Sequence, residues 1–449
     1  MTITFDQILP TTTTVLEIHR GTLARLEWLI VNRDLNARVR LIVPEQSRED
    51  EGLRAGVETM YQALAERLAP HAYPVDMGIL YEPTLEDARQ GASSYALEGF
   101  DQVWVVDRLA TEANWAHIAP EMNEVSRIVF FSIKGGVGRS TALAATAWYL
   151  AQTGKRVLVL DLDLESPGVS SALLPLKRQP AYGITDWLVE DLVDNGSTVF
   201  DDMVATSDLS HDGEIYVVPA HGAEHGEYIA KLGRVWMPKV QADGSREIWS
   251  ARLGRLLHAL EEHIQPHVVL IDSRSGIDEI ASACITDLGA HLILLFALEG
   301  MQTWNGYRML FEQWQRAHVA ENIRERLKIV AAIVPEIDRV TYLEGLRDRA
   351  YDIFSTLYDE IAPADPAAIG RATNGDGTWR VADLVEGWSF DAVDEGAPHY
   401  PWAVNWHRSF AGLYSLQGRF ATVDMQEVQA IFGSLIRGVS DITDGRDAS

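Results

Sequence analysis

Residues 127–151 read RIVFFSIKGGVGRSTALAATAWYLA, and no other stretch limits the possible fold as tightly. An apolar run ends in a glycine-rich octet, residues 134–141, and an alanine-rich segment of helical composition follows at once. Glycine reaches positive φ without a Cβ clash, so the backbone there can curl around an anion. The first turn of the next helix adds its unpaired amides and positive dipole end to the same point, which suits phosphate. A hydroxyl directly after the loop's basic residue is where a magnesium ligand is expected, and Ser140 holds that place.

The rest of the chain has the alternation that such a loop needs. Short apolar runs at 39–43, 77–80, 103–106, 128–133, 157–162, 215–218, 268–271, 292–298 and 329–334 are separated by helical patterns. One of these patterns is Trp249–Ile264, where Leu253, Leu256, Leu257 and Leu260 recur at helical spacing. Several runs are nearly continuous in Val, Ile and Leu, as strands covered on both faces are. The expected fold class is therefore α/β, a mostly parallel doubly wound sheet, with a smaller N-terminal α/β domain. The polar stretch 113–126, with Pro120, suggests domains at 1–125 and 126–449. A helix over 49–67, with Leu53, Val57, Tyr61 and Leu64 on one face, is the longest expected in the first portion. That portion carries no glycine-rich loop, metal pattern or nucleophile motif, and reads as a partner-binding or regulatory domain.

Charge narrows the functions. Thirty-eight basic against sixty-five acidic residues give a net charge of −27, which opposes broad attachment to nucleic acid or anionic lipid. A single cysteine, Cys284, cannot close an internal disulfide and fits a reducing compartment. The leading residues MTITFDQILPTTTT lack a basic leader and an apolar core, so no signal peptide is expected. No segment offers the ~20 uncharged apolar residues of a membrane helix, and the expected localisation is cytoplasmic.

Two acidic strand ends accompany the loop. Residues 159–163 read VLDLD, putting Asp161 and Asp163 where carboxylates face the ligand crevice of an open α/β sheet. The alternative is a pair of helix-capping or solvated carboxylates. Residues 268–272 read VVLID, a buried strand delivering Asp272 to the water shell of a magnesium ion. The following SRSG contains Arg274, either a charge sensor for phosphate or an ion-pair partner of Asp278 or Glu279. It does not match the Gly-x-Ser-x-Gly elbow of serine hydrolases.

Taken together, these motifs resemble the MinD/ParA-type P-loop ATPases of the SIMIBI class, whose deviant loop reads KGGxGK[ST]. Here Lys134 supplies the family's extra lysine, and Arg139 replaces the usual P-loop lysine, a KGGVGR variant. The resemblance covers the order of motifs beyond residue 127 and none of the first portion. It implies ATP and Mg2+ as cofactors, with the loop's Gly135, Gly136, Val137, Gly138, Arg139, Ser140 and Thr141 around the nucleotide. It further implies that Ser140 and Asp272 hold magnesium, with Asp161 near its shell, and that Asp163 positions the attacking water. Lys134 would cross to the γ-phosphate of a second subunit in an ATP-dependent homodimer, and Pro335 would border the adenine. The implied function is an ATP-hydrolysing switch whose dimerisation controls a protein partner, as in bacterial conflict or other regulatory systems.

Only six of the basic residues are lysines, so Arg139 is consistent with compositional drift. A forked guanidinium nevertheless differs from an ammonium point charge, and slow hydrolysis is expected. The competing readings are a nucleotide-sensing scaffold with little hydrolysis and a DNA-partitioning ATPase. The latter needs a basic face, whereas Arg324, Arg326, Arg347 and Arg349 are interspersed with acids. Histidines 211, 221 and 225 suggest a weak metal alternative, opposed by Gly222 and Gly226, and read better as a loop. Trp379, Trp388, Tyr400, Trp402, Trp406, Phe410 and Tyr414 are expected to bury against the sheet. The last helix, 424–439, is expected to pack in the core, since it lacks the cationic face of a membrane-seeking helix.

Overall fold

The computed structural model describes residues 3–92, 94–108, 114–122, 125–210, 212–223, 226–241, 243–359, 387–410 and 416–447. The chain divides into two units, Met1–His117 with Arg316–Val319, and Ile118–Gln315 with Ala320–Ser449.

In the first unit five strands form a mixed sheet: β1 (Leu29–Arg33), β2 (Val39–Pro44), β3 (Ile79–Glu82), β4 (Ser94–Ala96) and β5 (Val103–Asp107). Among the described residues their order is β3-β2-β1-β5-β4, with β1 antiparallel to β2 and parallel to β5. Helix α1 (Glu51–Leu68) starts where the Asp50 carboxylate accepts the Leu53 amide. It buries Leu53, Val57, Tyr61 and Leu64 together with Met60 and Leu68. The helical face expected from spacing is thus present, while β1 and β4 had not been foreseen.

The second unit is built on β6 (Ser126–Ser132), every residue of which is buried. The chain continues through β7 (Arg156–Asp161), β8 (Ala205–Thr206), β9 (Glu214–Val218), and the small hairpin β10 (Lys239–Val240) and β11 (Arg246–Glu247). It then forms β12 (Val268–Asp272), β13 (Leu292–Ala297), β14 (Leu327–Val334) and β15 (Trp402–Asn405). Among the described residues the large sheet runs β15-β14-β13-β6-β12-β7-β9-β8, parallel throughout except for β8 on β9. Every expected run of the second unit forms a strand. The fold class is a mostly parallel α/β sheet with helices, as expected. The sheet alternates sides about β6: β7 and β12 lie on one flank, β13 and β14 on the other. That reversal opens a crevice at the carboxyl end of β6, where ligands bind in sheets of this kind.

Three helices matter for the crevice: α2 (Arg139–Gln152), α3 (Trp249–Ile264) and α4 (Met425–Asp447). Five alanines of α2, at 142, 144, 145, 147 and 151, are buried, and their small side chains let the helix lie close to the sheet. Leu253, Leu256, Leu257 and Leu260 of α3 are all buried. Helix α4 packs on α2 and β15, burying Val428, Ile431, Phe432, Leu435, Ile436 and Val439. It serves the core as expected, and runs on eight residues past 439. Of the aromatic cluster, Phe410 is buried at 5.4 Å from Phe432, whereas Trp406 is 46% exposed. Trp379 and Tyr414 lie outside the described residues. Among the described residues no helix is long and apolar enough to cross a membrane.

Candidate functional site

The octet turns at two glycines, Gly136 with φ 76° and Gly138 with φ 79°, a backbone region that side chains with Cβ rarely enter. Ser132, the last residue of β6, donates its hydroxyl to the Lys134 carbonyl at 2.8 Å and fixes the start of the turn. Gly138 then hands the chain to α2. Gly135, Gly136, Val137, Gly138, Arg139, Ser140 and Thr141 all line one cavity of about 540 Å³. Val137 also belongs to the hydrophobic core.

Register brings the acids to the loop. Strand β12 lies between β6 and β7, with Asp272 paired to Phe130 on one side and to Asp161 on the other. Asp272 is fully buried. Its Oδ1 accepts from Arg139 Nε at 2.8 Å, and its Oδ2 has no hydrogen-bond partner. Asp163 lines the cavity; its Oδ2 lies 3.4 Å from Arg139 Nη2, and its Oδ1 accepts from the Ser166 amide at 3.3 Å. Burial raises the Asp163 pKa, against the pull of Arg139. Burial also opposes the charge on Arg139, but Asp272, Asp163 and Asp161 override it, and the pKa is raised.

Asp161, like Asp272, is fully buried and is not among the residues lining the cavity. Its Oδ2 accepts from the amides of Gly168 and Ser170 and from the Ser170 hydroxyl at 2.7 Å. That oxygen ties the loop after β7 to the helical turn Val169–Leu173, as a capping carboxylate does, while the buried Oδ1 has no hydrogen-bond partner. Burial, with Asp272 beside it, pushes the Asp161 pKa up to about 7.

Arg274 lines the cavity while pairing with Glu165 at 2.6 Å and Asp278 at 3.2 Å. It bridges the loops that follow β7 and β12; Glu279, the other candidate, approaches the Trp249 indole nitrogen instead. Lys134 is exposed and makes no ion pair among the described residues. Pro335 does not line the cavity. That wall is built by Ile333, Val404, Asn405, Trp406, His407, Phe410 and Phe432, none of which had been singled out for the site. Their recruitment follows from β15 adding to the edge of β14, where the register shifts between Ala331 and Val334. Ile333 sits in that shift at φ 52°, a strained conformation for a β-branched residue, as is common beside functional sites. Asn405 Nδ2 donates to the Ala430 carbonyl of α4 at 2.8 Å, leaving Oδ1 without a partner.

A hard divalent cation takes oxygen ligands. Ser140 on the cavity wall and the orphaned Oδ2 of Asp272 fit magnesium in their chemistry. Elsewhere, His221 contacts the Gly222 carbonyl at 2.9 Å and the Tyr228 ring edge-on; His211 and His225 lie outside the described residues. Among the described residues no cluster of His, Cys, Asp and Glu could hold a metal ion.

Comparison with known proteins bears on residues 128–349, which match the model of the CobQ/CobB/MinD/ParA nucleotide binding domain. A putative arsenical pump-driving ATPase 1 of Aquifex aeolicus is 57% identical over 67 residues, 15% of this chain and 17% of that protein. The chain thus spans about a sixth of that relative's length. Among solved structures, the MinC:MinD cell division complex of Aquifex aeolicus shares 18% identity, with a TM-score of 0.35 over 51% of this chain and 78% of that one. A ParA family ATPase of Chlorobium tepidum shares 15%, with a TM-score of 0.36 over 51% and 81%. Residues 128–349, just under half of the chain, thus match the nucleotide binding domain of the CobQ/CobB/MinD/ParA family, in keeping with a MinD/ParA-type P-loop.

Proposed function

We propose that the chain is a cytoplasmic ATPase that binds ATP in the cavity of the octet, dimerises while ATP is bound, and so controls a protein partner. The observation that carries this reading is the run of seven loop residues, 135–141, along a cavity that also touches Asp163, Arg274 and Asn405. Loop amides and the α2 terminus receive the phosphates, and Arg139 neutralises their charge. Magnesium, held by Ser140 and Asp272, would supply further neutralisation of the leaving phosphates. Asp163 orients the attacking water, and the exposed Lys134 is free to reach a second copy.

Sedimentation with and without ATP tests the switch. The wild-type chain should dimerise with ATP, and Lys134→Ala should bind ATP yet stay monomeric. An unchanged oligomer in all samples rejects it. A non-hydrolysing nucleotide sensor remains the second reading, favoured by the contact of Arg139 with Asp163, which engages the water-positioning carboxylate. Equal phosphate release from wild type and Asp163→Ala would select it. DNA partitioning has less support: Arg324, Arg326, Arg347 and Arg349 lie beside Asp359, Glu121, Asp348 and Glu299.

A further inference from the structure

The P-loop arginine does more than carry a charge to the cavity. Arg139 is 7% exposed and lines the cavity, yet every contact of its guanidinium runs to the protein. Nε donates to Asp272 at 2.8 Å, a normal bond for this pair. Nη1 reaches Ser132 Oγ, and Nη2 reaches Asp163 Oδ2, each at 3.4 Å. Those two contacts are longer than well-formed N–H···O bonds, so the Nη end loses little by exchanging them for phosphate oxygens. The Nε end stays on Asp272. The fork can keep Nε on the carboxylate while both Nη atoms turn to phosphate, whereas a lysine must serve both partners from a single nitrogen.

We propose that Arg139 makes nucleotide affinity at this site independent of magnesium, by bridging the Asp272 carboxylate to the polyphosphate directly. The inference rests on the nucleotide-binding reading above. A buried carboxylate beside a polyphosphate is repulsive unless a cation stands between them, and in a desolvated site that cation weighs heavily. Where the loop carries lysine, a metal ion shares this task. Here a covalently attached cation is already in contact with the carboxylate, and its Nε bond to Asp272 holds it in place. Asp272 Oδ2, buried and without a hydrogen-bond partner, keeps its capacity for a metal ion, which can join without being needed for affinity.

Calorimetric titration of a non-hydrolysable ATP analogue into the full chain, in magnesium buffer and in excess EDTA, tests this. The wild-type dissociation constants should agree within about threefold, while Arg139→Lys should weaken by about tenfold or more when magnesium is removed. A wild-type loss of about tenfold or more in EDTA overturns the proposal, as does Arg139→Lys behaving like wild type. Thermal melts report whether the variant folds; if it does not, the two wild-type titrations decide alone. Absence of heat in both buffers has a different meaning, because it removes the nucleotide-binding reading itself.

Discussion

Lys328 shows how a single buried charge registers in stability. It is 6% exposed on β14, donates to the Ala397 carbonyl at 2.6 Å, and lies 5.3 Å from the centroid of the Trp402 ring. Burial brings its pKa down to about 8, with Asp394 offsetting part of the effect. The unfolded chain therefore binds more protons than the folded one between about pH 8 and 10.5, so stability rises with pH in that window. Below it, the full cost of the buried charge is present. Lys328→Met removes the slope, and wild type should gain on the variant by up to about 3 kcal/mol as pH rises from about 7 to 10. Parallel melting curves across that range would refute the assignment. The residues of the site were legible to different degrees. The octet announced itself because loop chemistry is local. The grip of Arg139 on Asp272, 133 positions away, was not legible, because only the β6–β12 register creates it.

At the scale of elements, α4 carries two glycines in contrasting surroundings. A Cβ at Gly438 would run into the Trp402 indole, whereas one at Gly433 would meet the tip of Arg437 at 3.4 Å and the Gln429 Cβ at an ordinary 3.9 Å. Gly433→Ala should stabilise by about 0.5–1 kcal/mol through helix propensity. Gly438→Ala should cost about 1–3 kcal/mol, because α4 must lift from β15. Denaturant melts of the two variants check the pair, and shifts of the same sign would contradict the packing. The strands were readable in the same uneven way. β6, β7, β12, β13 and β14 are Val/Ile/Leu runs buried on both faces, a pattern that needs no partner to be recognised. β15 is four residues, WAVN, placed only by pairing with β14 some seventy positions upstream. The wall it brings to the cavity was hidden with it.

For the whole molecule, a net charge of −27 sets a background that specific ion pairs only partly relieve. Raising salt from about 0.01 to 0.15 M shortens the screening length from about 30 to 8 Å and weakens this self-repulsion. The melting temperature should climb by roughly a few degrees over that range. A fall would mean that networks such as Asp191 with Arg252, Arg255 and Lys239 dominate instead. The cavity also has an order of assembly written into it. Its glycine-rich loop lines it at 135–141, but part of its wall comes from residues 404–407, 410 and 432. A nascent chain emerging from the ribosome past β14 has the loop in hand and lacks the far side of its own binding site. A complete cavity therefore waits until the chain has been translated past residue 432, and shorter nascent chains lack part of its wall.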